Sequence, residues 1–492
     1  MEKSRIKINK KIVEKTKVVE VNGDIIVPDI KPDIINIINT NGNAYIYKQD
    51  ISVGRIRVDG NVDTYIVYLS DNGETRSIQT TLTFAENIED TKIQEESIVK
   101  SRIKIQAIDT KVLNERKIST KISLKIEIEC YSIEEIEFLN NIDELEDVEK
   151  QKNVLNINSM IGRNSVKATI REDIEVEETD SISEILKTNI EIKNIENKIS
   201  YNKVLAKADA NIKIIYQNEE GKIFVKESII PIMSFIDLEN VTENNICFSE
   251  YNVRNMLFKI NNTSSKSISC QVEFEVICEA FEIREIEIIQ DLYGIKQEID
   301  FSKKEVEVLL SNDDKDVSAH ILENIVIEDI NNILHVECIP DVVSIKNVGD
   351  TKSCECELKM EVYYEADNKI GLNVKSVKIP FGIKFDNSSE NIILNVNKSS
   401  FNINNENVEC DIEISAKQKQ GRVKNISILD NIEKKELTQN SDYKMSIYFV
   451  KAGDTLWNIA KRFKVCMNDI IKTNNLENPD KLKIGERLYI VR

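Results

Sequence analysis

The sequence specifies a mainly β protein: three tandem, all-β, sandwich-like domains followed by a small α+β module of βααβ order. Three observations carry that expectation. Apolar residues alternate with charged ones over long stretches. Slid against itself by 148 residues, the chain meets its own pattern again. Over the last 45 residues the apolar period changes from that of a strand to that of a helix.

The alternation is clearest in Arg102-Ile103-Lys104-Ile105-Gln106-Ala107-Ile108 and in Ile122-Ser-Leu124-Lys-Ile126-Glu-Ile128-Glu-Cys130. It recurs in Cys270-Gln-Val272-Glu-Phe274-Glu-Val276 and Cys356-Glu-Leu358-Lys-Met360-Glu-Val362. One face is apolar and the other charged, as in half-buried antiparallel strands. Turn residues separate the runs: Ser70-Asp71-Asn72-Gly73, Asn218-Glu219-Glu220-Gly221 and Ala366-Asp367-Asn368-Lys369.

At the 148-residue offset Asp33–Thr40 meets Ser181–Thr188, Ile51-Ser52 meets Ile199-Ser200, and Ile66-Val67-Tyr68 meets Ile214-Ile215-Tyr216. Cys130 meets Cys278 at the same offset. In a weaker third copy, Val362-Tyr363-Tyr364 continues the spacing and Ala319–Glu323 resembles the Ile182 segment, which implies an insertion of about a dozen residues between them. A period this long means tandem domains, since solenoid repeats run roughly 20–50 residues. The expected domains are 1–145, 150–292, 296–438 and 446–492, the first three as separate folding units. Ile34–Asn39 and Ile182–Lys187 read as one short helix per copy. The acidic stretches Glu134–Glu149 and Asn431–Gln439 read as partly helical connectors.

A chain of 492 residues is too long for one core, and 41% hydrophobic residues suffice for several. Net charge is −19. Residues 446–492 hold nine Lys/Arg and five Asp/Glu (+4), which leaves 57 basic and 80 acidic side chains (−23) for the rest. So acidic a body repels phosphates and is not expected to bind nucleic acid. The first residues lack the apolar stretch of a secretory signal, and no run approaches the ~18 apolar residues of a membrane span. A cytoplasmic chain is therefore expected, with its nine scattered cysteines reduced.

Catalytic motifs are missing. Gly162-Arg-Asn-Ser-Val-Lys167 lacks the second glycine of a P-loop, and Gly-x-Ser-x-Gly is absent. The two histidines, His320 and His335, are too few nitrogen ligands for a zinc hydrolase, and Cys354-Glu-Cys356 on one strand face reads as paired core thiols. No enzyme activity, metal or cofactor is expected.

The final segment reads Tyr448-Phe-Val-Lys-Ala-Gly453-Asp454-Thr455-Leu456-Trp457-Asn-Ile459-Ala460, then Asn474-Asn475-Leu476 and Ile484-Gly485-Glu-Arg-Leu488-Tyr489-Ile490. Gly453 frees a turn, and Asp454 or Thr455 is placed to cap a helix. Leu456, Ile459, Ala460 and Phe463 share one helical face. The segment resembles a LysM domain, a module that usually binds N-acetylglucosamine polymers. That resemblance implies a ligand groove between the loop entering helix one and the loop leaving helix two. The matching positions are Gly453, Asp454, Thr455 and Leu456 with Asn478, Leu482 and Ile484. Trp457, the chain's single tryptophan, reads either as helix core or as an interface anchor.

The segment Val21-Asn-Gly23-Asp24-Ile25-Ile-Val27-Pro28-Asp-Ile-Lys31-Pro32-Asp33 fixes φ at two prolines four apart, so the chain leaves a strand in an extended turn. It resembles the SPOCS domain of bacterial spore-coat proteins, and copies two and three lack its Pro-x-x-x-Pro-Asp. Three SPOCS-like copies followed by LysM are similar to the SipL-like family of clostridial coat morphogenetic proteins. The resemblance implies a non-enzymatic scaffold in the mother cell, at the forespore surface and in the spore coat. Its LysM domain would bind the SpoIVA-like ATPase that polymerises as the coat's basement layer. The competing expectation is a protein of cortex or wall that binds peptidoglycan or a chitin-like glycan.

Overall fold

The computed structural model describes residues 2–142, 147–176, 181–261, 265–310, 317–348, 351–366, 369–386, 392–404, 406–418, 422–435, 445–479 and 481–491. The first copy is built from β1 (Glu2–Ile26), β2 (Ile34–Ser52), β3 (Arg55–Ser70), β4 (Thr75–Glu89), β5 (Ile98–Asn114) and β6 (Lys117–Asn141). The second follows the same order with β7 (Val148–Glu175), β8 (Ile182–Ser200), β9 (Lys203–Asn218), β10 (Ile223–Asp237), β11 (Ile246–Ile260) and β12 (Ser267–Gly294). In the third, the long first strand is split into β13 (Glu298–Leu310) and β14 (Val317–Val326). Next come β15 (Ile330–Val348), β16 (Thr351–Ala366), β17 (Lys369–Asp386) and β18 (Ile392–Asn404), and the long last strand is split into β19 (Asn407–Gln418) and β20 (Arg422–Lys435). The C-terminal module is β21 (Met445–Phe449), α1 (Leu456–Phe463), α2 (Met467–Asn474) and β22 (Arg487–Val491).

Each copy is a sandwich of two antiparallel three-stranded sheets. The orders are β1-β6-β5 over β2-β3-β4, then β7-β12-β11 over β8-β9-β10, then β14-β19-β18 over β15-β16-β17, with β13 and β20 extending the β7-β12-β11 sheet to five strands through the Leu310–Ile157 pair. Period-two alternation places one row of each strand in the gap between the sheets. In the first copy Ile56, Val58 and Val62 of β3 meet Ile122, Leu124 and Ile126 of β6, all fully buried.

The structure corrects four readings. Ile34–Asn39 and Ile182–Lys187 begin strands β2 and β8 rather than helices. Register shifts fall between Ile34/Asn36 and Ile37/Asn39, and again between Ile182/Glu184 and Ile185/Lys187. Two bulges three residues apart turn a period of two into an apparent period of three, which imitates a helix.

The third copy has no insertion before Tyr364. Ile330 pairs with Ala366 as Ile34 does with Ser70 and Ile182 with Asn218, so both partners advance by 148 each time, and the twin bulges recur at Ile330/Asn332 and Ile333/His335. Ala319–Glu323 belongs to β14, paired with β19.

Cys130 and Cys278 are not structural equivalents. Val112 pairs with Ile118, whereas Ile260 pairs with Ile268, so the second copy's last hairpin is two residues longer. Ala280, opposite Gly162 at a bulge, takes the place of Cys130 opposite Val13.

The acidic connectors are strand wherever they are described. Glu134–Asn141 lies in β6, where Glu134 and Glu137 face Lys10 and Arg5 of β1 at 3.0 and 2.6 Å; Asn431–Lys435 ends β20. Residues 143–146 and 436–439 lie outside the described residues.

The three copies share cores. The ends of the long strands leave the sandwiches as three two-stranded ribbons, β1–β6, β7–β12 and β13–β20, and these pack together. Each of the six strands gives two side chains to one cluster, among them Ile8, Phe138, Ile157, Ile288, Val308 and Ile428. A second shared cluster contains Val67, Ile215 and Tyr363, which are 148 residues apart and at most 2% exposed. The copies are thus arranged around a pseudo-threefold axis. Burying each of these side chains is worth roughly 2 kcal/mol. The copies therefore pack on one another through these clusters, each of which draws side chains from all three.

Polar contacts cross the junctions as well. Lys31 Nζ meets both oxygens of buried Glu184 at 2.7 and 2.8 Å, and Ser77 Oγ donates to Glu184 at 2.9 Å. Between copies two and three, Lys187 bonds Glu337 and reaches Glu361 at 3.4 Å, and it donates to the Tyr363 hydroxyl at 2.5 Å.

Candidate functional site

The C-terminal module folds around Val450, Leu456, Ile459, Ala460, Val465 and Ile470, closed by Leu488 and Ile490. Thr455 is the cap: its Oγ1 accepts from the Asn458 N–H at 3.2 Å, satisfying one of the helix's free first-turn donors. Asp454 instead holds the turn. Its Oδ2 accepts from the Lys451 N–H at 2.8 Å and from the Tyr448 hydroxyl at 2.7 Å. These bonds, the Lys451 one first, hold its carboxyl below the ordinary value. Gly453 has φ +85°, a conformation open to glycine at little cost.

The two loops of the expected groove meet at their base. Gly485 N–H donates to Val450 O at 2.8 Å, and Val450 N–H donates to Glu486 O at 2.9 Å. Gly453, Thr455 and Asn478 are exposed around this junction, and Ile484 is 75% exposed. Asp454 and Leu482 are half-buried, Leu482 against the module's core. Leu456 is buried and supports the rim from below.

Trp457, also expected at this groove, makes its recorded contacts with the body. It faces the body, where the indole Nε1–H donates to Asp291 Oδ2 at 2.8 Å and its ring meets Tyr293 edge-on at 5.1 Å. One turn on, Lys461 Nζ donates to the other Asp291 oxygen at 2.6 Å, and Lys464 reaches Glu298 at 3.3 Å. Tyr293, buried within the module's own core, donates its hydroxyl to Val465 O at 2.8 Å. Burial raises the Asp291 pKa, but the Lys461 and Trp457 hydrogen bonds outweigh it and the carboxyl sits below its ordinary value.

Helix α1 therefore turns Leu456, Ile459 and Ala460 inward and Trp457, Lys461 and Lys464 toward the turn joining β12 to β13. Sequence reasoning missed Asp291 and Tyr293. Their signal was an aromatic in Asp291-Leu-Tyr-Gly294, at a turn where an apolar side chain has no reason to be unless something covers it.

Of the remaining candidates, Cys354 and Cys356 are buried beside Ile383 and Ala416. His320 meets Asp411 at 2.6 Å on the surface, and His335 lies tilted against Tyr363 with ring centres 6.0 Å apart. Among the described residues no helix is long and apolar enough to cross a membrane.

Family models match two parts of the chain. The LysM domain model matches residues 448–491, and the model described as the SipL SPOCS domain matches residues 181–261, from β8 through β11. A curated relative, the cortical fragment-lytic enzyme of Bacillus subtilis (strain 168), is 48% identical over 46 residues, which is 9% of this chain and 11% of that enzyme. No solved structure matches. The chain thus carries the domain content of a SipL-like protein: SPOCS and LysM, both non-catalytic binding domains. That content fits a protein of the spore coat or one that binds the cell wall.

Proposed function

We propose that the protein is a non-enzymatic scaffold of spore-coat assembly, acting in the mother cell at the forespore surface. Its LysM domain captures the SpoIVA-like ATPase of the coat's basement layer and promotes encasement of the forespore. The observation that supports this reading most is how the LysM domain is mounted. Trp457, Lys461 and Lys464 hold it against an acidic body, while Ile484 of its groove loops stays exposed to a partner. A rigid mount lowers the entropic cost of binding a partner that is itself part of a lattice.

The test uses the full chain, because removing 446–492 uncovers Tyr293. Ile484→Asp changes an exposed position and spares the core. Immobilised parent protein should retain the purified ATPase, and the variant should lose at least tenfold in affinity. Equal capture by both would refute the groove as the contact.

A second reading rests on the cortical fragment-lytic enzyme's likeness to the LysM segment: a peptidoglycan-binding protein of cortex or wall. It requires saturable binding of N-acetylglucosamine oligomers that Ile484→Asp abolishes, with no retention of the ATPase.

A further inference from the structure

We infer that the cleft between the first and second sandwiches is a binding site for a neutral oligosaccharide chain. The site is independent of the LysM groove and of the coat partner proposed for it.

The cleft has a volume of about 1050 Å³, at the upper end of the ~300–1,000 Å³ usual for ligand pockets, with room for a chain rather than a single ring. Its pseudo-symmetric counterpart, where copy three meets copy one, encloses about 290 Å³ and is bridged by Lys104 and Asp341. The wide cleft is held open by two contacts across the junction. Arg254 of β11, paired with Glu275, donates to Ile46 O of β2 at 2.6 Å. Lys100 of β5 reaches Glu279 of β12 at 2.7 Å, and Arg163 approaches the same carboxylate at 3.5 Å. The walls are therefore fixed before any ligand arrives.

The lining selects the ligand class by its chemistry. Among the described residues five Lys/Arg and five Glu line the cleft, so it has no net charge with which to hold a phosphate, a polyanion or a cation. Apolar side chains are interrupted by polar ones, which removes a lipid tail. What remains is an aromatic surface, Tyr47 at 46% exposure with Phe248, beside amides able both to donate and to accept, Gln49, Asn61, Asn252 and Asn255. A sugar chain matches that mixture, with apolar C–H faces for the ring and hydroxyls for the amides. Peptides are generally taken by free strand edges or by apolar pockets at alternate side chains. Here the lining comes from the faces of β7, β12 and β11 and from the edge strands β2 and β5, so an extended peptide is the competitor that the titration has to separate from a sugar.

The test is calorimetric titration of the full chain with N-acetylglucosamine hexamer and with cellohexaose, followed by hydrogen exchange of the saturated complex. At least one sugar should bind with one site per chain at the cleft and slow exchange in 47–51 and 248–255, and Tyr47→Ala and Asn252→Ala should each weaken it at least tenfold. Tyr47 is exposed and Asn252 half-buried in the cleft lining, and neither belongs to a buried core, so the variants should fold, which is checked by unchanged melting. Failure of both sugars to bind overturns the inference. So does binding that both variants leave intact, or protection confined to 448–486, which would assign the sugar to LysM. Protection of the cleft by an uncharged ten-residue peptide but by neither sugar would overturn it in favour of a peptide.

Discussion

Asp291 carries the mounting of the LysM domain, and Asp291→Ala should loosen it by a calculable amount. The carboxylate accepts from the Trp457 indole at 2.8 Å and from Lys461 at 2.6 Å, with its side chain 15% exposed. Losing a charged acceptor from a half-buried indole N–H costs about 1.5 kcal/mol. The Lys461 pair, whose lysine is more than a third exposed, adds about 0.5 kcal/mol after solvent screening. The sum, about 2 kcal/mol, is a roughly 30-fold change in the docking equilibrium. Hydrogen exchange measured by mass spectrometry on the full chain reads this directly. Peptides covering 286–301 and 456–466 should exchange about 30-fold faster in the variant, while ribbon β1–β6 stays unchanged. Asp291→Asn, which keeps one acceptor, should fall between. The carboxyl's pKa is depressed on folding, so its contribution is complete above the ordinary value near ~3.9 and disappears as pH falls through the lower docked value. The contact should therefore persist at pH 5. Unchanged exchange at 286–301 in Asp291→Ala would refute the mounting.

Trp457→Ala should cost about 2–4 kcal/mol of docking or module stability, and Trp457→Phe, which keeps a ring and loses the N–H, about 1 kcal/mol; urea unfolding monitored at Tyr293's side of the contact separates them. Lys187→Ala strips the cation from Glu337 and the Tyr363 hydroxyl and one of two from Glu361, whose carboxyl is held near 2 against the effect of burial by Lys187 together with Lys359. The loss should be about 3–5 kcal/mol, seen as one cooperative transition moving as a whole; a split into separate transitions would show that the copies fold independently. Burial, then Lys213, lowers the His335 pKa to about 4. Its unfolded form takes a proton below ~6.5 and the folded form does not, so stability falls as pH drops from 6.5 toward 4, by about 2–3 kcal/mol at pH 4.5. His335→Asn, the residue found at the equivalent Asn39, should remove that part of the acid sensitivity in paired melts at pH 7 and 4.5.

Local pattern alone determined a good deal here. Alternation such as Ile122–Cys130 can bury one row only as a strand, and the cap and helical stripe from Thr455 to Phe463 can fold only as a short helix. The 148-residue offset between Val67 and Ile215 announced a duplicated topology. These are properties of neighbours in sequence, and a period reports them. Where two bulges fell three residues apart, at Ile34–Asn39, the period itself was misleading, because a register shift is set by the partner strand and not by the strand that carries it. The third copy looked displaced for the same reason: Ile330 is recognised by standing opposite Ala366, not by its resemblance to Ile182. Tertiary structure alone decided that Val67, Ile215 and Tyr363 share one core, and that six strand ends from three copies complete a common ribbon bundle. It also decided which way Trp457 faces. Helical spacing puts Leu456 and Trp457 on adjacent faces of α1, and only the arrival of Asp291 and Tyr293, more than 160 residues earlier in the chain, turns the second face into a contact with the body.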